Sequence, residues 1–177
     1  MKYLIMCEGP NELEVVKILL RHNCLKITSD DLLNLVPYHA RQIKTSGAVQ
    51  NALNLYPGEV TVLRIGDSLS EKLQIPKEYA GKIVAQEKYC TKPELEMLLI
   101  IAEGMTKEFD KVKSKVRPKA FAKEHIKCGR RFYKNDTAFY TEYFEKNVEC
   151  LVYCIKEYKR IKGSDKKEEL YLADLLK

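Results

Sequence analysis

Residues 1–20 read MKYLIMCEGPNELEVVKILL, and the six at 7–12, CEGPNE, decide how the rest of the chain is read. The run from Tyr3 to Cys7 is apolar without alternation, as expected of a parallel strand buried on both faces. It stops at Glu8. Gly9 and Pro10 follow, and Pro10 suits a first helical turn, where its missing N–H would be unpaired anyway. Glu12 lies one turn into the helix so begun. Val15, Val16, Ile18, Leu19 and Leu20 cover a wide apolar face, which predicts helix through about His22. The stretch therefore delivers one carboxylate at a strand end and a second at a helix start, both toward one edge.

Working outward, a Thr-Ser-Asp-Asp loop and a short apolar piece, LLNLVPY, lead to a second helix, SGAVQNALNLY, ended by Pro57-Gly58. EVTVLRIGD is a β-branched strand that stops at Gly66-Asp67. Residues 68–80 are mixed, GKIVAQEKY reads as a further strand, and KPELEMLLIIAEG reads as a helix opened by Pro93 and closed near Gly104. This order predicts an α/β fold over residues 1–105, with an open, mainly parallel sheet flanked by helices and right-handed crossovers. Residues 106–162 read as helical throughout and predict a basic α-helical extension packed on that domain. Residues 163–177 read as a polar linker, GSDKKEE, and a short amphipathic C-terminal helix, LYLADLLK. That helix is expected either to dock on the domain or to serve a protein partner or a second copy.

The chain has 177 residues, enough for one well-buried domain with a small appendage. Its longest apolar stretch, around MLLIIA, is far too short to span a bilayer. The N-terminus reads as a strand, with no cleavage signal after it, and a cytoplasmic location is expected. Six cysteines, at 7, 24, 90, 128, 150 and 154, are scattered. In such a chain they read as small buried hydrophobes, against a zinc set of Cys150, Cys154, His125 and Cys128 with unusual spacing. The net charge is +6, but residues 106–134 hold eleven Lys/Arg against three Asp/Glu, so the remainder sums to −2. Concentration of positive charge in one segment points to a polyanionic partner, with a solvated helical face as the plainer explanation. Lys119, Lys123, Lys127, Arg130 and Arg131 are the candidate nucleic-acid contacts, with Phe132 and Tyr133 interleaved to stack a base.

Open parallel sheets bind ligands beyond the carboxyl ends of their strands. Glu8, Glu12 and Asp67 belong there, as do Glu87, at the end of the fourth strand, and Glu94 and Glu96 after it. Crowded carboxylates resist ionising unless a cation joins them. An all-oxygen site suits Mg²⁺ or Mn²⁺, which accept phosphate oxygens as further ligands. No phosphate loop of the Walker type is present, and Gly66-Asp67-Ser68 lacks the second glycine of a nucleophile elbow. His22, His39 and His125 share no spacing that suggests a common role.

Strand–Glu8–Gly9–x–x–Glu12–helix, followed by strand–Gly66–Asp67, resembles the Toprim (topoisomerase–primase) domain. The likeness extends to its relatives among overcoming-lysogenization-defect nucleases and small ribosomal-RNA maturases, and it covers roughly residues 1–105. It implies a Mg²⁺-dependent nuclease or related phosphodiester-processing protein. By position, Glu8 and Asp67 would be catalytic, Glu8 as general acid or base, and Glu8, Glu12 and Asp67 would hold the metal. The second aspartate of the family's Asp-x-Asp should stand at position 69, where this chain has Leu69; Glu94 and Glu96 are the acids that could compensate. The departure keeps open a catalytically degenerate, Toprim-like binding subunit of a larger complex, in phage defence or on a mobile element.

Overall fold

The computed structural model describes residues 1–67, 71–92, 94–162 and 169–177. Leu69, Pro93 and all but the last residue of the GSDKKEE linker lie outside them. The fold is α/β. Five parallel strands form one sheet in the order β2 (Tyr38–His39), β1 (Lys2–Cys7), β3 (Val60–Gly66), β4 (Ile83–Cys90) and β7 (Leu170–Tyr171). β1 and β3 are central neighbours, with Cys7 opposite Ile65, so the Glu8 and Asp67 ends of these strands lie side by side.

Strand alternation divides the core into two layers. Leu4, Met6, Val60 and Val62 face α2 (Gly47–Leu55), whose first turn is capped by Ser46. Ile5, Cys7, Leu63 and Ile65 face the larger layer, built with α1 (Pro10–Arg21), α3 (Met97–Ala102), α4 (Thr106–Val112), α5 (Pro118–His125), α6 (Thr137–Phe144) and α7 (Val148–Lys162). That layer is one continuous cluster from Ile5 to Leu176, so packing runs unbroken across positions 105 and 162.

Three expectations are corrected. LYLADLLK is not a helix. Leu170 and Tyr171 pair beside Tyr89 and Cys90 as β7, and Leu172–Leu175 form a 3₁₀ turn. The open edge of β4 offers Leu170 and Tyr171 backbone partners that an eight-residue helix could not match. The Asp174 carboxylate accepts from the Tyr171 N–H at 2.8 Å, and Tyr171, Leu172, Leu175 and Leu176 are buried. Of the two roles expected of this segment, docking on the domain or serving a partner, its apolar residues take the first. Second, 106–162 is not wholly helical: β5 (Lys127–Cys128) and β6 (Arg131–Phe132) form an antiparallel hairpin across the two-residue turn Gly129-Arg130. Gly129 takes φ +60°, the left-handed conformation such a turn requires at its first position. Third, the long aromatic helix is two, because the Asn147 side chain accepts from the Cys150 N–H and starts α7 anew.

No helix among the described residues is long and apolar enough to cross a membrane. All six cysteines are free, and Cys150 and Cys154 stand with sulfurs 4.0 Å apart on one face of α7.

Candidate functional site

Glu8 extends the β1 ladder by one residue, its N–H donating to the Ile65 carbonyl at 2.9 Å, and its side chain folds back over the end of β3. Gly66 makes this possible. A Cβ there would stand 2.3 Å from Glu8 Oε2 and 2.5 Å from Cγ, so only glycine leaves room. Gly9 does the same for Glu12, whose Oε2 would lie 2.3 Å from an added Cβ. The glycines of the sequence pattern are thus the floors on which its two glutamates rest.

Beneath Glu8 is Arg64, a residue the sequence reading absorbed into an apolar strand. It is 1% exposed, and its Nη2 lies 3.6 Å from Glu8 Oε1. Its Nη1 donates to the Glu71 carbonyl at 2.6 Å, which ties the chain after β3 to the floor of the site. A charged residue inside an otherwise apolar, doubly covered strand was the available signal, since arginine is almost never fully buried unless paired.

Glu8, Glu12, Asp67, Glu94 and Glu96 all line one cavity of about 250 Å³. Gly9, Pro10, Asn11, Arg41, Leu95, Lys119 and Asn135 complete its wall. The carboxylates come from the β1–α1 turn, the end of β3 and the approach to α3, as the strand-end rule expects. Glu87 is not among them; it points outward from β4 and accepts from the Tyr89 hydroxyl at 2.6 Å. Burial raises the Glu12 carboxyl above its ordinary range, and the charges of Asp67, Glu96 and Glu8 raise it further. Burial likewise raises Glu96, which is 3% exposed and accepts from the Tyr133 hydroxyl at 2.7 Å. Tyr133 also reaches Asn135 Oδ1 at 3.2 Å, and Asn135 Oδ1 accepts from the Asn11 amide at 3.0 Å. This network fastens the segment after the hairpin to the start of α1.

Two cations stand among the acids. The Arg41 Nε donates to the Glu8 carbonyl at 3.4 Å, and among the described residues its guanidinium pairs with no carboxylate. The Lys119 N–H donates to Glu94 at 2.8 Å, which caps the first turn of α5, and its Nζ lies 3.9 Å from Glu96. Lys119 is therefore part of the cavity wall. Of the other expected nucleic-acid contacts, Lys123 and Arg130 are exposed, and Lys127 Nζ sits 4.2 Å over the exposed Phe132 ring. Arg131 bridges Asp136 and Glu142 and braces the start of α6. Tyr133 is buried, so it does not serve as a stacking surface.

Among the described residues, no three His, Cys, Asp or Glu side chains gather closely enough to ligate one ion directly. The donor set is nevertheless all oxygen, and the cavity has room for a cation that keeps its waters, as Mg²⁺ does. The raised Glu12 and Glu96 carboxyls mark a place where added positive charge is favourable.

These shifts have a sign. A carboxyl raised on folding binds more protons folded than unfolded, so it favours the fold at low pH and loses that contribution as pH rises. The melting temperature of metal-free protein is expected to fall as pH climbs from the ordinary 4.5 through the raised values of Glu12 and Glu96. Glu12→Gln with Glu96→Gln should flatten that slope; an unchanged slope in the double variant would refute the assignment. Neither family models, curated proteins nor solved structures return a match to this chain.

Proposed function

We propose that this protein is a Toprim-like, Mg²⁺- or Mn²⁺-dependent nuclease or a closely related phosphodiester-processing protein acting on nucleic acid. The observation that carries the reading is the shared cavity of Glu8, Glu12, Asp67, Glu94 and Glu96, drawn from separate elements and edged by Arg41 and Lys119. A divalent ion there would polarise a phosphodiester and lower the pKa of a bound water toward neutrality. Glu8, Glu12, Asp67, Glu94 and Glu96 would hold it, directly or through its waters. Glu8, fixed by its backbone bond to Ile65 and by the Gly66 floor, is the group placed to move a proton as general acid or base. Arg41 and Lys119 would offset the repulsion between a phosphate and the acids around it.

Millimolar Mn²⁺ is expected to raise the melting temperature. Glu8→Gln and Asp67→Asn should each abolish that rise and reduce metal-dependent cleavage of nucleic acid at least about 100-fold. No response to metal, or cleavage unchanged in both variants, overturns the reading.

One observation favours a second reading, a non-catalytic Toprim-like binding subunit. Glu8, the acid placed for chemistry, already has the buried Arg64 beside it. On that reading nucleic-acid or protein binding persists with no metal response, and the Glu8→Gln variant binds as the native chain does.

A further inference from the structure

Within the expected basic set Arg131 is engaged by Asp136 and Glu142, and the other members have a direction. Lys119 stands at the cavity, and Lys123 lies on the same face of α5 one turn on, a rise of about 6 Å. Lys127 follows on β5, and it pairs across the hairpin with Phe132. Phe132 is 41% exposed, and Lys127 Nζ lies over its ring. Arg130, at the hairpin turn, and Lys134, just past it, are exposed as well. Among the described residues, Lys123, Lys127, Arg130 and Lys134 take part in no ion pair, whereas Arg131 beside them is neutralised by Asp136 and Glu142. A cationic row therefore begins at the acidic cavity with Lys119, which is paired to Glu96, and runs through Lys123 and Lys127 to an exposed aromatic ring.

The geometry points to a track for single-stranded nucleic acid, with Lys119, Lys123 and Lys127 along its phosphates and Phe132 stacking an unpaired base; it rests on the reading of the cavity as a phosphodiester site and names its substrate class. Charge complementarity selects a polyanion. The ring selects a strand over a duplex, because bases inside a duplex are already stacked and present no free face. The alternation of β6 shows which residues serve which purpose. Tyr133 is buried against Glu96, Arg131 lies along α6 on its ion pairs with Asp136 and Glu142, and Phe132 between them is 41% exposed. Lys127 covers one face of the ring by a cation–π contact, and the exposed part of the ring is the surface offered to a base.

The test is metal-free binding, in chelator at low salt, of fluorescent oligothymidylate, oligouridylate and a duplex of equal length. Single strands should bind at least about tenfold more tightly than the duplex. Phe132→Ala should weaken them about 5- to 100-fold, with little effect on the duplex, and Phe132→Trp should restore binding. Lys123→Gln should reduce the slope of log affinity against log salt by about 0.7 for single strands. The thymidylate and uridylate arms separate DNA from RNA. Equal binding of the duplex, an unchanged Phe132→Ala, absence of binding to all three, or equal displacement by polyglutamate overturns the track. Because no metal is present, the result is independent of whether the cavity cleaves. Binding as described with no metal-dependent cleavage would sink the catalytic reading alone, and cleavage with no single-strand preference would sink the track alone.

Discussion

Replacing Arg64 by Met is expected to lower stability by about 3–5 kcal/mol at neutral pH, the cost of stripping one partner from a buried ion pair. For a chain of this length that corresponds to a fall in melting temperature of about 10 °C. Arg64 is 1% exposed and the Glu8 side chain 7%, and Nη2, 3.6 Å from Glu8 Oε1, makes no hydrogen bond among the described residues, so the contact is one of charge. With Arg64 gone, Glu8 loses the buried guanidinium that lies 3.6 Å from its Oε1. The Glu71 carbonyl also loses the 2.6 Å donor that fixes the chain after β3. Two losses are therefore combined, and they separate experimentally. Adding Glu8→Gln to Arg64→Met should recover most of the destabilisation if the lost Arg64–Glu8 ion pair dominates. It should recover little if the Glu71 tether dominates. A melting temperature within a degree or two of the native value for Arg64→Met would show that neither contact is worth what its burial implies.

The pair also explains why the site was only partly legible in the sequence. Glu8, Glu12 and Asp67 could be placed because strand and helix boundaries are local. An apolar run, a Gly-Pro turn and a Gly-Asp stop each fix the end of an element, and a parallel sheet then collects such ends on one rim. Glu94 and Glu96 followed by the same rule, although Glu94 serves α5 as a cap and does not simply begin α3. Arg41 and Arg64 were not recoverable in that way. Their roles depend on which face of β3 meets which turn, and on where the chain returns after β2. Neither carries a local signal beyond its charge.

The C-terminal third was misread for a related reason. Its short elements take their conformation from distant partners. Leu170 and Tyr171 are a strand only because β4 leaves an edge open to them. Lys127 to Phe132 had a usable clue in Gly129, the glycine of a two-residue turn, but the flanking strands are too short to show alternation. Arg131 looked like its basic neighbours until α6 brought Asp136 and Glu142 against it. Charge counts see the segment, and packing decides which charges remain available.

Gly66→Ala is the second large effect, and it joins the fold to the site. The added methyl would lie 2.3 Å from Glu8 Oε2, 2.6 Å from Cδ and 2.5 Å from Cγ, so the side chain cannot evade it by swinging its carboxylate end alone. Glu8 has little space to move, being 6% exposed with Arg64 beneath it. Either the ends of β1 and β3 separate or Glu8 leaves its position. Overpacking of this kind costs about 1–3 kcal/mol, against which the reduced freedom of the unfolded chain returns at most about 1 kcal/mol. The consequence for chemistry is larger, since displacement of a catalytic group by about 1 Å can cost 100-fold. Gly9→Ala is the matched control. Gly9 has φ −130°, which any residue adopts, and its added methyl would press first on the Oε2 of Glu12, with Cδ already 3.3 Å away. That carboxylate end can rotate, so Gly9→Ala should keep near-native stability while weakening the metal response. Gly66→Ala should lose both. Equal melting temperatures and equal metal responses for Gly66→Ala and the native protein would show that Glu8 is not held against the end of β3 and that the metal response rests on Glu12 and Asp67.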